Sequence, residues 1–318
     1  MKKFLFKLSV FVLIVLVILL VYNGIYNELR SDDMYGDGKF VHVPYDITIS
    51  NVGSSHGVYA FDYQYIDEDQ TGFNFALVSQ TLSYDYRVIC EFKDHFKEGG
   101  IMFIPVSYPS FSLDETAGED FESKNNRYYR FLSPANIKEF HVDRYIGLHF
   151  FPAIYESTAD VIKIFIKGVL NKRPIIEDAD YVVAREIDFA EDARRAYQRH
   201  YNVNEDGEVI INRDEIDALY NIIDFCRARS IRPVLISTPL RDEYTSLYSQ
   251  NQLECFNQIV NQVIDETGCE YYDYTHDERF ATSDQYMRNA DHLSPDGARA
   301  FTGIIIEEVV DAKRDAQE

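Results

Sequence analysis

Residues 1–22, MKKFLFKLSVFVLIVLVILLVY, constrain this chain before any other feature does. Lys2, Lys3 and Lys7 precede an apolar run from Leu8 to Tyr22. A helix of about 20 apolar residues crosses the hydrocarbon of a bilayer, and counted from Phe4 this segment is long enough to do so. A cleavable signal peptide is the rival reading, but Val21-Tyr22-Asn23-Gly24-Ile25 offers no good small-x-small cleavage site. The segment therefore reads as an uncleaved signal anchor. The lysines lie before the span, and Glu28, Asp32 and Asp33 follow it. By the positive-inside rule the N-terminus is cytoplasmic and the remainder of this single-pass cell-membrane protein is extracytoplasmic. Residues 23–44, with Gly24, Gly36, Gly38 and Pro44, read as a short spacer before a domain over 45–318.

Charge narrows what that domain binds. Of 318 residues, 53 are acidic and 31 basic, a net charge of -22. A fold so acidic repels nucleic acid and anionic lipid, so the membrane contact falls to the N-terminal helix. Cys90, Cys226, Cys255 and Cys269 show no close metal-ligand spacing, and no cofactor or metal motif stands out. A disulfide from Cys226 or Cys255 to Cys269 and buried free thiols both remain open.

From residue 45 the chain alternates short β-rich runs with helical periodicity. Ile47–Ile49 and Gly72–Thr81 read as strands, and Tyr84–Lys97 has helical spacing stopped at Gly99-Gly100. Ile101–Val106 is continuously apolar, as a strand buried on both faces must be. After a stretch without trusted motifs, 112–210, the rhythm resumes with a helix over Asp214–Ser230, a strand over Arg232–Ser237, a helix over Leu247–Thr267 and a strand over Glu270–Tyr274. The pattern predicts a three-layer, flavodoxin-like α/β fold: a parallel sheet of about five strands with helices on both faces and the site at the strands' carboxyl ends. Residues 112–210 read as a helical insertion beside the site, either an ordinary packed subdomain or one touching the membrane face. His141, His149 and Asp143 within it could be ligands, but histidines amid aromatics are more often structural. His95 and the charged segment Arg185–His200 read as solvated.

Two stretches carry chemistry. Asp46–Tyr59, DITISNVGSSHGVY, is a strand, a small-residue turn and a helix start, a geometry that displays one side chain at a sheet edge. Ser55 is that side chain, close to helix-start amides that favour an oxyanion. A glycine turn with a serine N-cap is the plain alternative. Near the other end, NADHLSPDGARAF places His292 before a Ser294-Pro295 helix start, with a helix to about Ala312. Serine early and histidine late is an order compatible with a nucleophile–base pair.

Gly53-Ser54-Ser55-His56 resembles the first block of SGNH/GDSL-type hydrolases, and Asp291-His292-Leu293-Ser294 with Gly297 resembles their last block, in the form of Gram-positive membrane-anchored members. The resemblance covers roughly 45–312. It implies Ser55 as nucleophile and His292 as base, with Ser54, Ser79, Ser107 and Thr238 at the strand ends as oxyanion or substrate contacts. The chain departs from the family at three points. No glycine stands in the second block, where Ala76 or Ser79 would substitute. The Gly-x-Asn-Asp third block is absent, and Ser107 occupies its strand end. Asn289 stands where the family places the aspartate that orients the base, and Asp291 is adjacent to His292 instead. Asn289 would orient the ring, Asp291 would, or the site has lost activity.

The resemblance implies an extracytoplasmic esterase or O-acyltransferase working on acyl esters of cell-envelope glycans or teichoic acids through a Ser–His acyl-enzyme. A related line assists teichoic-acid D-alanylation. The alternative is a non-catalytic envelope scaffold or binding module on the same fold.

Overall fold

The computed structural model describes residues 1–112, 121–155, 158–166, 187–200, 203–204 and 208–312. In chain order the elements begin with α1 (Lys2–Arg30), β1 (Ile47–Asn51), α2 (Ser55–Ala60), β2 (Gly72–Asn74), α3 (Leu82–Glu91) and β3 (Phe96–Pro105). Short helices follow: α4 (Phe121–Asn126), α5 (Val142–Tyr145), α6 (Pro152–Tyr155) and α7 (Thr158–Ile166). The chain continues through α8 (Phe189–His200), α9 (Arg213–Arg227), β4 (Arg232–Ser237), α10 (Asp242–Thr245), α11 (Gln250–Thr267), β5 (Glu270–Asp273) and α12 (Pro295–Ile305). These elements divide into two compact units, residues 1–43 with 118–178 and residues 44–117 with 179–318.

The second unit is built on a five-stranded sheet, all parallel, in the order β2-β1-β3-β4-β5. That is the flavodoxin-like order, whose crevice opens where β1 and β3 lie side by side. Ile49 aligns with Ile101, Phe103 with Val234, and Leu235 with Tyr271. Alternation along the strands divides the core. Ile49, Phe103, Val234 and Ile236 pack with Phe301 and Ile305 of α12, Val309 beyond it, and Phe61 after α2. On the opposite face Met102 meets Cys226 of α9, Sδ to Sγ, at 3.5 Å. Buried Glu215 on α9 accepts both the Ser83 hydroxyl, at 2.7 Å, and its amide, at 3.1 Å, which ties the first turn of α3 to α9. Helices thus cover both faces, as the alternation of elements predicts.

Local signals set several boundaries. Ser249 forms a capping box with Gln252 at the start of α11, and Gly268 ends that helix in the left-handed region at φ 65. Ser294 caps α12 by accepting the Gly297 amide at 3.1 Å, with Pro295 in the first turn. The helix expected over Tyr84–Lys97 instead stops at Glu91, and Phe96 opens β3. Phe96 packs against Phe75 and Phe225, with ring centroids 5.3 and 5.8 Å apart, and tertiary burial overrides the helical period there. His95 is half-buried rather than solvated: its Nδ1 lies 2.9 Å from the Pro44 carbonyl oxygen and its ring stacks on Tyr45. All four cysteines are free, and Cys269 Sγ donates to the Pro233 carbonyl.

In the first unit α1 is long and apolar enough to cross a membrane, and it continues to Arg30. Tyr22 stacks on Phe165 of α7 at 5.3 Å, and Asn23 Oδ1 accepts the Ala153 amide of α6 at 2.8 Å. Tyr26 is fully buried there with Ala153 and Val161. Asp37 joins Arg30 (2.6 Å) and Arg130 (3.3 Å). Burial alone would raise the Asp37 carboxyl, but the two guanidinium groups outweigh it and hold it below its ordinary value. His149 Nδ1 faces the Tyr129 carbonyl at 3.2 Å, and its ring stacks on Tyr145.

Candidate active site

The site forms where β1 and β3 end side by side. After Asn51 the chain turns through Gly53, whose φ of 121 few other residues adopt, and its amide donates to Asp85 Oδ1 at 2.8 Å. Ser54 caps α2, its Oγ accepting the His56 amide at 3.4 Å. Gly57 lets this helix lie close to the sheet: a Cβ there would sit 2.5 Å from the Val52 carbonyl oxygen. Asn51 Nδ2 donates to the Gly57 carbonyl at 3.2 Å and to Asn74 Oδ1 at 3.0 Å, which fixes the loop from below.

Ser55 is the first residue of α2 and half-buried. Its hydroxyl has no hydrogen-bond partner among the described residues. Tyr59, one turn further on, shares its helix face, and the Tyr59 ring meets the His292 ring edge-on at 5.1 Å. His56 lies 5.2 Å from the same ring. Tyr59 and His56 of α2 thus meet His292, and Ser55 precedes both at the start of the same helix.

His292 is held from its other side. Its Nδ1–H lies along Asn289 Oδ1 at 3.0 Å, and Asp291 Oδ1 is equally near, at 3.0 Å, but off that line. Asn289 Oδ1 also accepts the Asp291 amide at 3.2 Å. An acceptor on Nδ1 fixes the tautomer that leaves a lone pair on Nε2. Nε2 is buried without a hydrogen-bond partner among the described residues. Asp291 is fully buried, with His56 Nε2 and His200 Nδ1 each 3.9 Å from Oδ2. Burial would raise the Asp291 carboxyl, but the charge of His292, with His56 and His200 behind it, holds it well below the carboxylate range. Burial pushes His292 below its ordinary value, opposed by Asp291. His200 is pushed down to about 4, again by burial against the pull of Asp291.

Of the residues singled out in the sequence, His292, Asn289 and Asp291 form one cluster, and Ser55 begins the helix whose His56 and Tyr59 lie against it. Both candidate orienting residues border the ring, Asn289 by a hydrogen bond to Nδ1 and Asp291 with Oδ1 3.0 Å from the same atom. Ser54 is the helix cap. Ser107, at the end of β3, meets His56 rather than His292, with Oγ 3.1 Å from His56 Nδ1. Ser79 is exposed in a turn at φ 56, and Thr238 is buried after β4; neither bonds to the cluster among the described residues. The Ala76 amide is already taken by Asn74 Oδ1, at 3.0 Å, and is not a free oxyanion donor.

Two members escaped the sequence reading. His56 lies inside the serine block but reads as a turn residue until α2 is seen to bury it. His200 sits in a charged helix, yet it follows Ala196 and Ala193 by four and seven residues, and both alanines are fully buried. That spacing put it on the inward face and was the available signal. His200 Nδ1 bonds the Tyr244 hydroxyl at 2.8 Å.

No protein-family model and no curated protein matches this chain. Among solved structures, one from Streptococcus pneumonia, provisionally described as a platelet activating factor, aligns over 94% of this chain and 98% of its own at a TM-score of 0.41 and 10% identity. A likeness at that level fixes neither family nor activity.

Proposed function

We propose that this chain is a membrane-anchored serine esterase or O-acyltransferase of SGNH/GDSL type that acts outside the cell on acyl esters of envelope glycans or teichoic acids. The observation that carries the reading is the His292 ring: Nδ1 is held by Asn289 beside the Asp291 carboxylate, Nε2 has no hydrogen-bond partner among the described residues, and Tyr59 and His56 of the helix that Ser55 begins lie against the ring. Ser55 Oγ attacks the acyl carbonyl while His292 Nε2 takes its proton. Asn289 keeps the tautomer, and the Asp291 charge stabilises the imidazolium that forms. First-turn amides of α2, other than that of His56 which Ser54 caps, supply the donors for the developing oxyanion. The ester C–O bond then breaks, and His292 returns the proton to the leaving alcohol. Water, or a sugar hydroxyl, enters by the same steps in reverse and releases the acyl group from Ser55.

The membrane part of the reading rests on the first unit. Tyr22 closes the apolar span and is stacked on α7, so α6 and α7 emerge at the depth where the chain leaves the hydrocarbon. Ile154, Tyr155, Ile162 and Ile166 of these helices are more than half exposed, which suits seating in the headgroup layer.

Rapid mixing of the full chain in detergent with p-nitrophenyl acetate tests the chemistry. The reading expects a burst of nitrophenol matching the enzyme concentration, absent in Ser55→Ala. A burst that survives in Ser55→Ala refutes Ser55 as the nucleophile, and no burst with a linear, histidine-dependent rate favours the scaffold alternative.

A further inference from the structure

Around Asp291 the acceptors outnumber the donors. His56 Nδ1 lies 3.1 Å from Ser107 Oγ, and Ser107 Oγ is 3.3 Å from Ser110 Oγ, which itself accepts the Ser107 amide at 2.8 Å. Either serine can donate in their pair, and Ser107 Oγ accepts the Nδ1–H of the His56 tautomer that leaves Nε2 bare. His56 Nε2 then carries a lone pair, 3.9 Å from a fully buried Asp291 oxygen. His292 is in the same state, its Nδ1–H committed to Asn289. His56 Nε2, His292 Nε2 and both Asp291 oxygens are buried without a hydrogen-bond partner among the described residues. Buried polar atoms left unpaired are rare enough that each needs a cause, and converging lone pairs beside a carboxylate ask for a cation.

The spacing suits one. One ring nitrogen of His56, one of His292 and an Asp291 oxygen all lie within 4.8 Å of one another. Ligands about 2.1 Å from a tetrahedral zinc stand about 3.4 Å apart. His56 Nε2 stands 3.9 Å from Asp291 Oδ2 and His292 Nδ1 stands 3.0 Å from Asp291 Oδ1, on either side of that value. Two imidazoles and one carboxylate select a late divalent transition ion over magnesium or calcium. Ser107 and Asn289 supply the outer hydrogen bonds that ligating histidines usually have. His200 is not part of the set, because its Nδ1 already bonds Tyr244.

We propose that His56, Asp291 and His292 bind Zn2+ and that this ion switches the serine chemistry off. The regulatory half rests on the reading of His292 as the base for Ser55; the binding half does not. Coordination through His292 Nε2 removes the lone pair that takes the Ser55 proton. Coordination through Nδ1 displaces the proton held on Asn289 and moves it to Nε2, with the same result. The metal and the catalytic proton therefore exclude each other, and the enzyme works with this site empty of zinc.

The test uses the metal-stripped full chain in detergent, without affinity-tag histidines. Zn2+ binding is measured by calorimetry and Co2+ binding by its tetrahedral absorption bands. We expect one tight site in the parent chain and in Ser55→Ala. His56→Gln and Asp291→Asn should each weaken it by at least about a hundredfold, while His276→Gln, at an exposed position, leaves it unchanged. Should Asp291→Asn not fold, His56→Gln alone decides. Zinc should also suppress labelling of the parent chain by a serine-reactive fluorophosphonate, and a chelator should restore it. Binding of the parent chain no tighter than that of His56→Gln would overturn the site. Tight binding with undiminished labelling would overturn the switch. Binding in a chain that never labels would leave the site standing and refute the serine reading instead.

Discussion

The two units of this chain solve opposite problems of exposure. In the sheet unit the large apolar side chains are buried, and among its described residues only Tyr45, Tyr65, Val78 and Ile210 stand out strongly. What that unit hides besides its core is chemistry: Asp291, His56 and a largely buried His292. In the first unit the pattern is inverted. Outside α1, Val142, Ile146, Phe150, Ile154, Ile162 and Ile166 are all exposed, while an ion-pair centre at Asp37 is largely shielded. A surface that water penalises would be stable against lipid, and the proposed function assigns the first unit to that solvent. On the proposed function, apolar exposure separates the anchoring unit from the unit that carries the candidate site.

The largest expected effect is at the site. Asp291→Asn removes the carboxylate beside the imidazolium and should lower kcat by about 10²- to 10⁴-fold. Because Asp291 raises the His292 pKa against burial, its loss should also move the acid limb of the kcat/KM profile to lower pH. A smaller rate loss with an unmoved limb would assign the work to Asn289.

Next come paired truncations that set the units against each other. Phe301 is fully buried against Phe61, Tyr274 and Phe280, so Phe301→Ala should cost about 3–5 kcal/mol in denaturant unfolding. Ile162, 52% exposed, should cost less than about 1 kcal/mol as Ile162→Ala. A bimane on Ile162→Cys in nanodiscs should be quenched by brominated lipid, and one on Tyr65→Cys should not. Equal quenching would dissolve the contrast between the units.

The smallest effect concerns acid. His200 is held neutral, with its value lowered to about 4 from the ordinary 6.5. Between those values the unfolded chain binds the proton and the folded one does not, so stability falls as pH drops through that window. His200→Gln should flatten the dependence of Tm on pH there by a few degrees. An unchanged slope would mean that His200 charges freely in the folded state.

Much of the sheet was legible because local and tertiary preferences agree there. β4 matches the RPVLIS run end to end, Gly268 stops α11, and Ser294-Pro295 starts α12. Where they disagree the sequence misleads: Phe96 keeps helical phase with Val88 and Phe92, yet two aromatic partners draw it into β3. Ser55 and His292 could be found because each sits in a recognisable local block. The rest of the cluster could not, since Asp291 acquires His56 and His200 only when segments far apart in the chain meet at the end of β1. The stretch over 112–210 carried no motif. Among its described residues 118–178 groups with α1, while α8 packs against α10 in the sheet unit.

The central claim is that Ser55 is an activated nucleophile served by His292. It is met most directly by incubating the full chain in detergent with a fluorophosphonate probe, beside Ser55→Ala and His292→Ala. The account predicts labelling of the parent chain, no labelling of Ser55→Ala and strongly slowed labelling of His292→Ala. A parent chain that is folded, free of metal and still unlabelled would contradict it.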